Sequence, residues 1–224
     1  MSIGFRIVSE INRPAKEVVE LFRGMPVANI DDNMGRVAAV SSAIVPMNSS
    51  PLLGTAFTIK VPAGDNLMFH KAMDMAKPGD VFMIDAGGVE ERSIFGELMV
   101  NYCRVLGIAG IVVDGSIRDS DGIGKLTDFP VYARGVTPNG PYKNGPGEIN
   151  CPIVIGGQVV KPGDIVVGDP DGVIIIDPAV APEIAAATRA TMKNEEQIMA
   201  DILQKKEYIR PWVDEKLREL GYKL

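Results

Sequence analysis

The sequence predicts a mixed α/β sandwich rather than a regular doubly wound fold. Helical and extended segments alternate before residue 129, short strands with tight turns follow, and the C-terminal section is helical. No linker is long enough to divide this pattern. We therefore predict one α/β domain at 1–178 and a C-terminal helical arm at 179–224.

Amphipathic spacing and capping residues predict the helices of the first half. Asn12 is expected to cap the helix AKEVVELFRG, which ends at Gly24, and Asp65 is expected to cap NLMFHKAMDMA. A third helix is predicted to begin near Gly96. Helical spacing assigns its buried face to six residues: Phe95, Leu98, Met99, Tyr102, Cys103 and Leu106.

Apolar runs and turn residues predict the strands. The segments TAFTIKVP at 55–62, DVFMIDAGG, and GIVVDG at 110–115 are expected to be buried strands. Gly156-Gly157 and Asp171-Gly172 are typical hairpin turns between later short strands.

Two apolar stripes predict helices in the C-terminal arm. The first lies within about 180–206, and the second contains Trp212 after Pro211. Such an arm packs on a neighbouring subunit or on the chain's own sheet. In the first case Asp31, Glu195 and Glu196 are candidates for completing a neighbour's site.

Composition excludes several classes of function. The 224 residues are 46% hydrophobic and 23% charged, which is typical of a globular protein. The net charge of −6, without a basic stripe, argues against nucleic-acid binding. No apolar run approaches a membrane span or a signal peptide, so we expect a soluble cytoplasmic protein without a membrane partner.

The scarcity of histidine and cysteine restricts the chemistry further. His70 is the one histidine, so a zinc site built on several histidines is impossible. Cys103 and Cys151 lack metal-binding or redox spacing and are expected to be reduced thiols. Carboxylates are plentiful, and these suit Mg²⁺ or Mn²⁺.

Two features within residues 94–123 predict a binding site for a small anion. Gly96–Met99 lies where a loop becomes a helix, and the first N–H groups of a helix have no internal partner. Arg118 and Asp119 follow a strand at its carboxyl end, where ligands bind in open α/β sheets. The arginine can bind a carboxylate and the aspartate a divalent cation, as a small α-keto acid would require.

Each candidate also has a purely structural explanation. An Arg-Asp pair after a strand is commonly a surface ion pair. Asn66 and His70 lie one helical turn apart and could bind the distal end of a substrate, whereas the alternative for His70 is packing against the sheet. Lys143, in NGPYKNGPG, either reaches a distal carboxylate or is simply solvated.

The run GELM…GIVVDGSIRD, with HKAMDMAKPGDVFMIDAGG before it and FPVYARGVTPNGP after it, resembles a known family. This is the 4-hydroxy-4-methyl-2-oxoglutarate / 4-carboxy-4-hydroxy-2-oxoadipate aldolase family, which includes the regulator of ribonuclease activity A. The resemblance covers roughly residues 25 to 178. It implies an α-β-β-α sandwich and a homotrimer or homohexamer with active sites at subunit interfaces.

The resemblance also implies an activity and residue roles. The activity is metal-dependent (class II) cleavage of 4-hydroxy-2-oxo diacids to pyruvate and a second keto acid. Loss of carbon dioxide from oxaloacetate would form the same pyruvate enolate, so oxaloacetate decarboxylation is expected as a side activity. The backbone amides of residues 96–99 bind substrate, Arg118 binds its pyruvyl part, and Asp119 holds Mg²⁺ or Mn²⁺. Glu97 matches an acidic residue that contacts water on the metal. Together with the candidates at Asn66, His70 and Lys143, this gives a predicted substrate-binding set of Gly96, Glu97, Leu98, Met99, Arg118, Asn66, His70 and Lys143.

Two other functions compete with the aldolase. A non-catalytic trimeric regulator that binds a ribonuclease or helicase belongs to the same family, but Asn66, His70, Glu97 and the C-terminal extension favour the enzyme. A quinone methyltransferase lacks support, because the chain has no glycine-rich strand-loop-helix start with a downstream acidic residue.

Overall fold

A computed structural model describes residues 4–224. Its strands, in chain order, are β1 Phe5–Ile7, β2 Val45–Pro46, β3 Leu52–Lys60, β4 Asp80–Asp85, β5 Ser93–Phe95, β6 Gly110–Ile117, β7 Val131–Val136, β8 Gly147–Ile149, β9 Ile153–Ile155, β10 Gln158–Val160, β11 Ile165–Asp169 and β12 Gly172–Ile176. Its helices are α1 Lys16–Val19, which a 3₁₀ turn at Glu20–Phe22 extends, α2 Val27–Asp32, α3 Leu67–Met73, α4 Glu97–Val105, α5 Ser120–Gly124, α6 Ala181–Lys205 and α7 Pro211–Glu219.

The strands form one mixed sheet and a separate hairpin. The main path runs β1-β8-β3-β4-β6-β7-β2, and β3, β4, β6 and β7 are parallel along it. Strand β3 pairs with β11 through its first residues and with β8 through its last, so the sheet divides there into two layers. The hairpin joins β9 to β10 through Gly156 and Gly157, which both have positive φ, as predicted.

Three hydrophobic clusters show that the layers form the predicted α-β-β-α sandwich. Alternate side chains of β4 point to opposite faces: Phe82 and Ile84 pack with α3 and α4, whereas Val81 and Met83 pack against β9–β12. The outer face of β11 and β12 packs against α2 and the start of α6. A single apolar strand therefore belongs to two cores, which explains its continuous hydrophobic run.

Three predicted element boundaries are wrong. Helix α1 begins at Lys16 and Asn12 is not its cap, because Arg13 makes two 2.7 Å hydrogen bonds to Asp80 and holds the preceding segment against the sheet. Strand β3 begins three residues early because Leu52 pairs with Gly168. Strand β6 continues to Ile117 because β5 pairs with its end.

The predicted buried face of α4 is also partly wrong. Leu98 is 87% exposed and Tyr102 is exposed, whereas Val100 and Cys103 are buried. The helix carries more apolar residues than the sheet can cover, so its rotation about its own axis decides which ones are buried. That rotation depends on the strands beneath the helix and is absent from the local sequence.

The C-terminal arm is helical, as predicted, and its two halves differ. The first turns of α6 bury Ala181, Ala185 and Thr188 against the chain's own core. Helix α7 buries none of its residues, and Trp212 is largely exposed. In the described residues 4–224, no helix is both long and apolar enough to cross a membrane.

Candidate active site

A pocket of about 340 Å³ lies where α4 begins, beside the end of β6 and the start of α3. It brings together most of the residues that the sequence singled out. Its lining consists of Asn66, His70, Phe95, Gly96, Leu98, Met99, Arg118, Asp119, Gly140, Pro141 and Lys143. The volume lies near the small end of the range of about 300–1,000 Å³ that is typical of small-molecule sites.

Arg118 and Asp119 are presented by the turn that follows β6. The N–H of Arg118 donates to the carbonyl oxygen of Phe95 at 3.0 Å, which extends the β5–β6 pairing. Asp119 has φ 59 and ψ 37, a left-handed conformation that aspartate tolerates better than most residues. The two side chains are 46% and 45% exposed, and Nε of Arg118 lies 3.7 Å from Oδ2 of Asp119. This weak, solvated pair leaves both groups available to a ligand.

Gly96 allows the start of α4 to approach this pair closely. A Cβ at residue 96 would overlap Oδ2 of Asp119 and would lie 2.9 Å from Cγ of Arg118. The N–H of Glu97 donates to Oδ2 of Asp119 at 3.1 Å. In α4, the N–H of Val100 donates to the carbonyl oxygen of Gly96. The N–H groups of Leu98 and Met99 precede this bond and remain at the exposed start of the helix.

Asn66 lines the pocket and carries a buried acceptor. The residue is only 2% exposed. Its Nδ2 donates to the carbonyl oxygen of Ile94 at 2.9 Å and to Sδ of Met99 at 3.5 Å. These contacts orient the amide and leave Oδ1 without a partner among the described residues. Leaving such an acceptor unpaired costs about 1–3 kcal/mol, which a ligand donor or a water would offset.

His70 and Lys143 form the distal end of the pocket. Burial lowers the pKa of His70 and the nearby charge of Lys143 lowers it further, so the imidazole is neutral near pH 7. His70 lines the pocket, while the neighbouring Phe69 packs in the core beneath the helix. Lys143 is exposed, and its ammonium supplies positive charge on this side.

Glu97 is placed differently from the other candidates. Its carboxylate lies over α5, where a Cβ on Gly122 would be 2.6 Å from Oε2, and the side chain is not part of the pocket lining. Its backbone N–H is the group that contacts Asp119.

Three lining residues were missed by sequence reasoning: Phe95, Gly140 and Pro141. Gly140 approaches the arginine closely, because a Cβ there would lie 3.1 Å from Nη1 of Arg118. Gly140 and Pro141 could have been found from the Asn-Gly-Pro turn at 139–141, because this turn shares a loop with the candidate Lys143. Phe95 carried no signal, since a buried aromatic residue is typical of a core.

Asp119 is the one acidic residue in the pocket lining. Across residues 4–224, no three His, Cys, Asp or Glu side chains group closely enough to hold a metal ion. A cation held at Asp119 would therefore have to take most of its ligands from water and substrate. Mg²⁺ has this habit, since it commonly binds through one or two carboxylates.

The layers and the pocket define the class of protein. It is an α-β-β-α sandwich protein with a small pocket whose lining combines Arg118, Asp119, Asn66 and the start of α4. The family model described as RraA-like, Aldolase/RraA, matches residues 27–175, and the chain belongs to this family.

Relatives agree with this membership. A protein of Halalkalibacterium halodurans named "Putative 4-hydroxy-4-methyl-2-oxoglutarate aldolase" is 43% identical over 161 residues, which are 71% of this chain and 76% of that protein. An uncharacterized protein from Pseudomonas syringae pv. tomato has the same fold, with a TM-score of 0.74 over 86% of this chain and 94% of that one at 22% identity. Streptomyces coelicolor RraAS2, described as an unusual member of the RNase ES inhibitor RraA protein family, has a TM-score of 0.72 over 82% of this chain and 97% of its own at 26% identity.

Proposed function

We propose that the protein is a divalent-metal-dependent aldolase. Its substrates are 4-hydroxy-2-oxo diacids of the 4-hydroxy-4-methyl-2-oxoglutarate or 4-carboxy-4-hydroxy-2-oxoadipate type, and its products are pyruvate and a second keto acid. One observation carries the proposal: Arg118, Asp119 and Asn66, whose Oδ1 is buried without a partner, all line a single pocket of about 340 Å³. The name of the Halalkalibacterium halodurans relative supports it.

The two ends of the pocket match the two ends of such a diacid. Arg118 and the N–H groups of Leu98 and Met99 bind the pyruvyl part, because a guanidinium and free helix-start amides both bind anions. Lys143 attracts the distal carboxylate, and neutral His70 hydrogen-bonds to the same end.

Asp119 would hold Mg²⁺ or Mn²⁺, and such a cation acts as a Lewis acid toward the C2 carbonyl of the substrate. The N–H of Glu97 fixes the carboxylate, since it donates to Oδ2 at 3.1 Å. Gly96 keeps this place free of a side chain.

The remaining residues stabilise the charge that moves during cleavage. The C4 hydroxyl loses its proton to water, the C3–C4 bond breaks, and its electron pair passes into the enolate of pyruvate, which is then protonated at C3. Arg118 stabilises the negative charge on the enolate oxygen. Oδ1 of Asn66 accepts a hydrogen bond from the C4 hydroxyl and so orients it. Oxaloacetate would yield the same enolate by losing carbon dioxide.

The direct test is release of pyruvate from 4-hydroxy-4-methyl-2-oxoglutarate and from oxaloacetate, with Mg²⁺ and with a chelator. We expect turnover of both that a chelator abolishes and Mg²⁺ or Mn²⁺ restores. Turnover that persists in the chelator would reject the metal-dependent mechanism.

The second candidate is a regulator that binds a ribonuclease, which the similarity to Streptomyces coelicolor RraAS2 favours. It predicts no turnover of either substrate and inhibition of a ribonuclease in a reconstituted RNA-cleavage assay. The aldolase predicts the opposite pair of results.

We also propose a homotrimer or homohexamer in which the arm at 179–224 contacts a neighbouring domain. Exposed Leu98, Tyr102 and Val105 on α4, next to the pocket, support an interface there. Light scattering coupled to gel filtration distinguishes a trimer, a hexamer and a monomer.

A further inference from the structure

One wall of the pocket is the loop at 138–146, which we call the distal loop. It contributes Gly140, Pro141 and Lys143 to the lining, and it contains neither a helix nor a strand. A loop of this kind needs fastening if it is to hold a binding group in one place, because ordering each residue costs about 1–2 kcal/mol of conformational entropy.

Arg92 fastens the first half of the distal loop. Its Nη1 donates to Oδ1 of Asn139 at 3.0 Å and to the carbonyl oxygen of Gly140 at 2.5 Å. Its Nη2 donates to the hydroxyl of Tyr142 at 3.2 Å, and the guanidinium lies 4.1 Å from the centre of that ring. Gly64 makes room for the arginine, because a Cβ there would lie 2.5 Å from its Cδ.

Asp65 fastens the second half, from a position that is only 3% exposed. Its Oδ2 accepts the N–H groups of Asn144 at 2.6 Å and Gly145 at 3.1 Å. Its Oδ1 accepts the N–H of Leu67 at 2.9 Å, so the same carboxylate also holds the start of α3. Hydrogen bonds to a charged acceptor are roughly twice as strong as neutral ones.

Asp65 therefore joins the two segments that form the distal end of the pocket. Asn66 and His70 lie on the α3 side, and Lys143 lies immediately before the loop residues that Asp65 holds. A backbone contact strengthens the junction, since the N–H of Asn66 donates to the carbonyl of Tyr142 at 3.0 Å. Asp65 itself is not part of the pocket lining.

We propose that Asp65 is a positioning residue that sets the preference of the pocket for a substrate with a second carboxylate. It acts by holding Lys143 at a fixed place relative to Asn66 and His70. This inference rests on the proposed function for its substrate class, while the fastening of the distal loop stands on the hydrogen bonds alone.

The test compares a diacid with a monoacid of equal chain length, 4-hydroxy-2-oxoglutarate and 4-hydroxy-2-oxopentanoate. In Asp65→Asn we expect the ratio of their kcat/KM values to fall about tenfold, through a higher KM for the diacid, because one charged contact of this kind is worth about one decade of binding. The matched control is Asp164→Asn. Asp164 is similarly buried and its Oδ2 accepts the N–H of Lys161 at 2.7 Å, away from the pocket, so the ratio is expected to be unchanged.

A double-mutant cycle tells positioning from a general loss of structure. Lys143→Met lowers the ratio by itself, and in that background Asp65→Asn is expected to have no further effect on it. Equal loss for both substrates, or a further fall in the Lys143→Met background, would overturn the inference. If Asp65→Asn does not fold, Asp65→Glu serves instead, because it keeps the charge but shifts the acceptor by one methylene.

Hydrogen exchange and calorimetry separate this inference from the proposed function. The amides of residues 144 and 145 are expected to exchange faster in Asp65→Asn than in wild type, and unchanged exchange would overturn the fastening. If wild type cleaves neither substrate, the aldolase proposal fails. The preference is then measured as binding of 2-oxoglutarate against 2-oxopentanoate, and equal affinity of wild type for the two would overturn the inference.

Discussion

Two cavities of this molecule differ in size and in chemistry. The larger one, a groove of about 770 Å³, lies between residues 16–25 and α6, whereas the pocket beside α4 is about 340 Å³. In the groove, Arg23 pairs with Glu20 at 2.7 Å, and Arg189 donates to the carbonyl of Leu21 at 3.3 Å. The pocket instead is lined by Asn66, whose Oδ1 has no partner, and by a loosely paired arginine.

The difference shows that volume is a weaker indicator of function than unsatisfied polar groups. In the groove, Arg23 and Glu20 pair with each other and Arg189 pairs with a backbone carbonyl, so a ligand of these groups would have to compete with existing contacts. In the pocket, backbone groups hold Asp119 and Asn66 in place, while Oδ1 of Asn66 still lacks a partner. A preorganised group without a partner distinguishes a binding site from a surface depression.

The largest contrast is expected from Asp119. Asp119→Asn keeps the shape of the side chain but removes the charge that a hard cation requires, so kcat/KM is expected to fall by at least about 10³-fold. Steady-state kinetics over a Mg²⁺ titration measure this. Asp121→Asn is the matched control, because that carboxylate is exposed and pairs with Lys125 at 2.6 Å. Equal losses of kcat/KM in the two variants would contradict a specific role of Asp119 in the pocket.

Arg118→Lys and Arg189→Lys compare the two cavities directly. Lysine conserves the charge of Arg118 but loses the planar fork that binds a carboxylate, so kcat/KM is expected to fall about 10²-fold. Arg189→Lys, in the groove, is expected to leave kcat/KM within about twofold. Near-normal turnover by Arg118→Lys with saturating Mg²⁺ contradicts the role assigned to Arg118.

Gly96→Ala tests the close approach of α4 to the Arg118-Asp119 pair. The φ of −142 suits alanine, so the expected loss of about tenfold in kcat/KM comes from displacement of Asp119 and Arg118 by the new methyl group. Gly124→Ala is the control, since its Cβ would meet the carbonyl of Met47 at an ordinary 3.5 Å. Unchanged kinetics in Gly96→Ala would show that the pair does not need its present position.

The smallest effect concerns pH and His70. Its pKa is lowered in the folded protein, so the unfolded chain takes up a proton first as the pH falls, and the stability present above about pH 6.5 declines below it. Wild type is expected to lose about one or two degrees more in Tm than His70→Gln between about pH 7.5 and about pH 5. Because the chain has one histidine, the difference between the two melting profiles isolates this group. Parallel profiles would mean that the pocket does not lower this pKa.

Local sequence predicted the strands better than the helix faces. The buried runs at β4 and β6 are apolar on both sides because each strand faces two cores, and such runs are visible without any structure. The buried face of α4 was partly mispredicted, because Leu98 and Val100 are both apolar and only packing distinguishes them.

The proximity of 96–99 to Arg118 and Asp119 was predictable because one helix and one strand separate them in sequence. The contact between Asp65 and Asn144 was not predictable from the sequence. Asn144 lies far along the chain, and it contributes a backbone N–H, which nearly every residue type has. Likewise, the sequence does not show that Ile94 and Met99 both contact Nδ2 of Asn66. These two contacts orient the amide and leave its Oδ1 without a partner.

By itself, the sequence determined the type and order of the main elements and the strands that are apolar on both faces. It also determined the absence of a multi-histidine metal site and the identity of the charged pair after β6. These properties depend on residue type and on the order of neighbouring residues, both of which can be read directly from the sequence. Only the tertiary structure decided the rotation of α4, the orientation of the Asn66 amide and the fastening of the distal loop by Asp65 and Arg92. Each of these depends on hydrogen bonds or packing between segments distant in sequence, and such contacts exist only once the sheet has assembled.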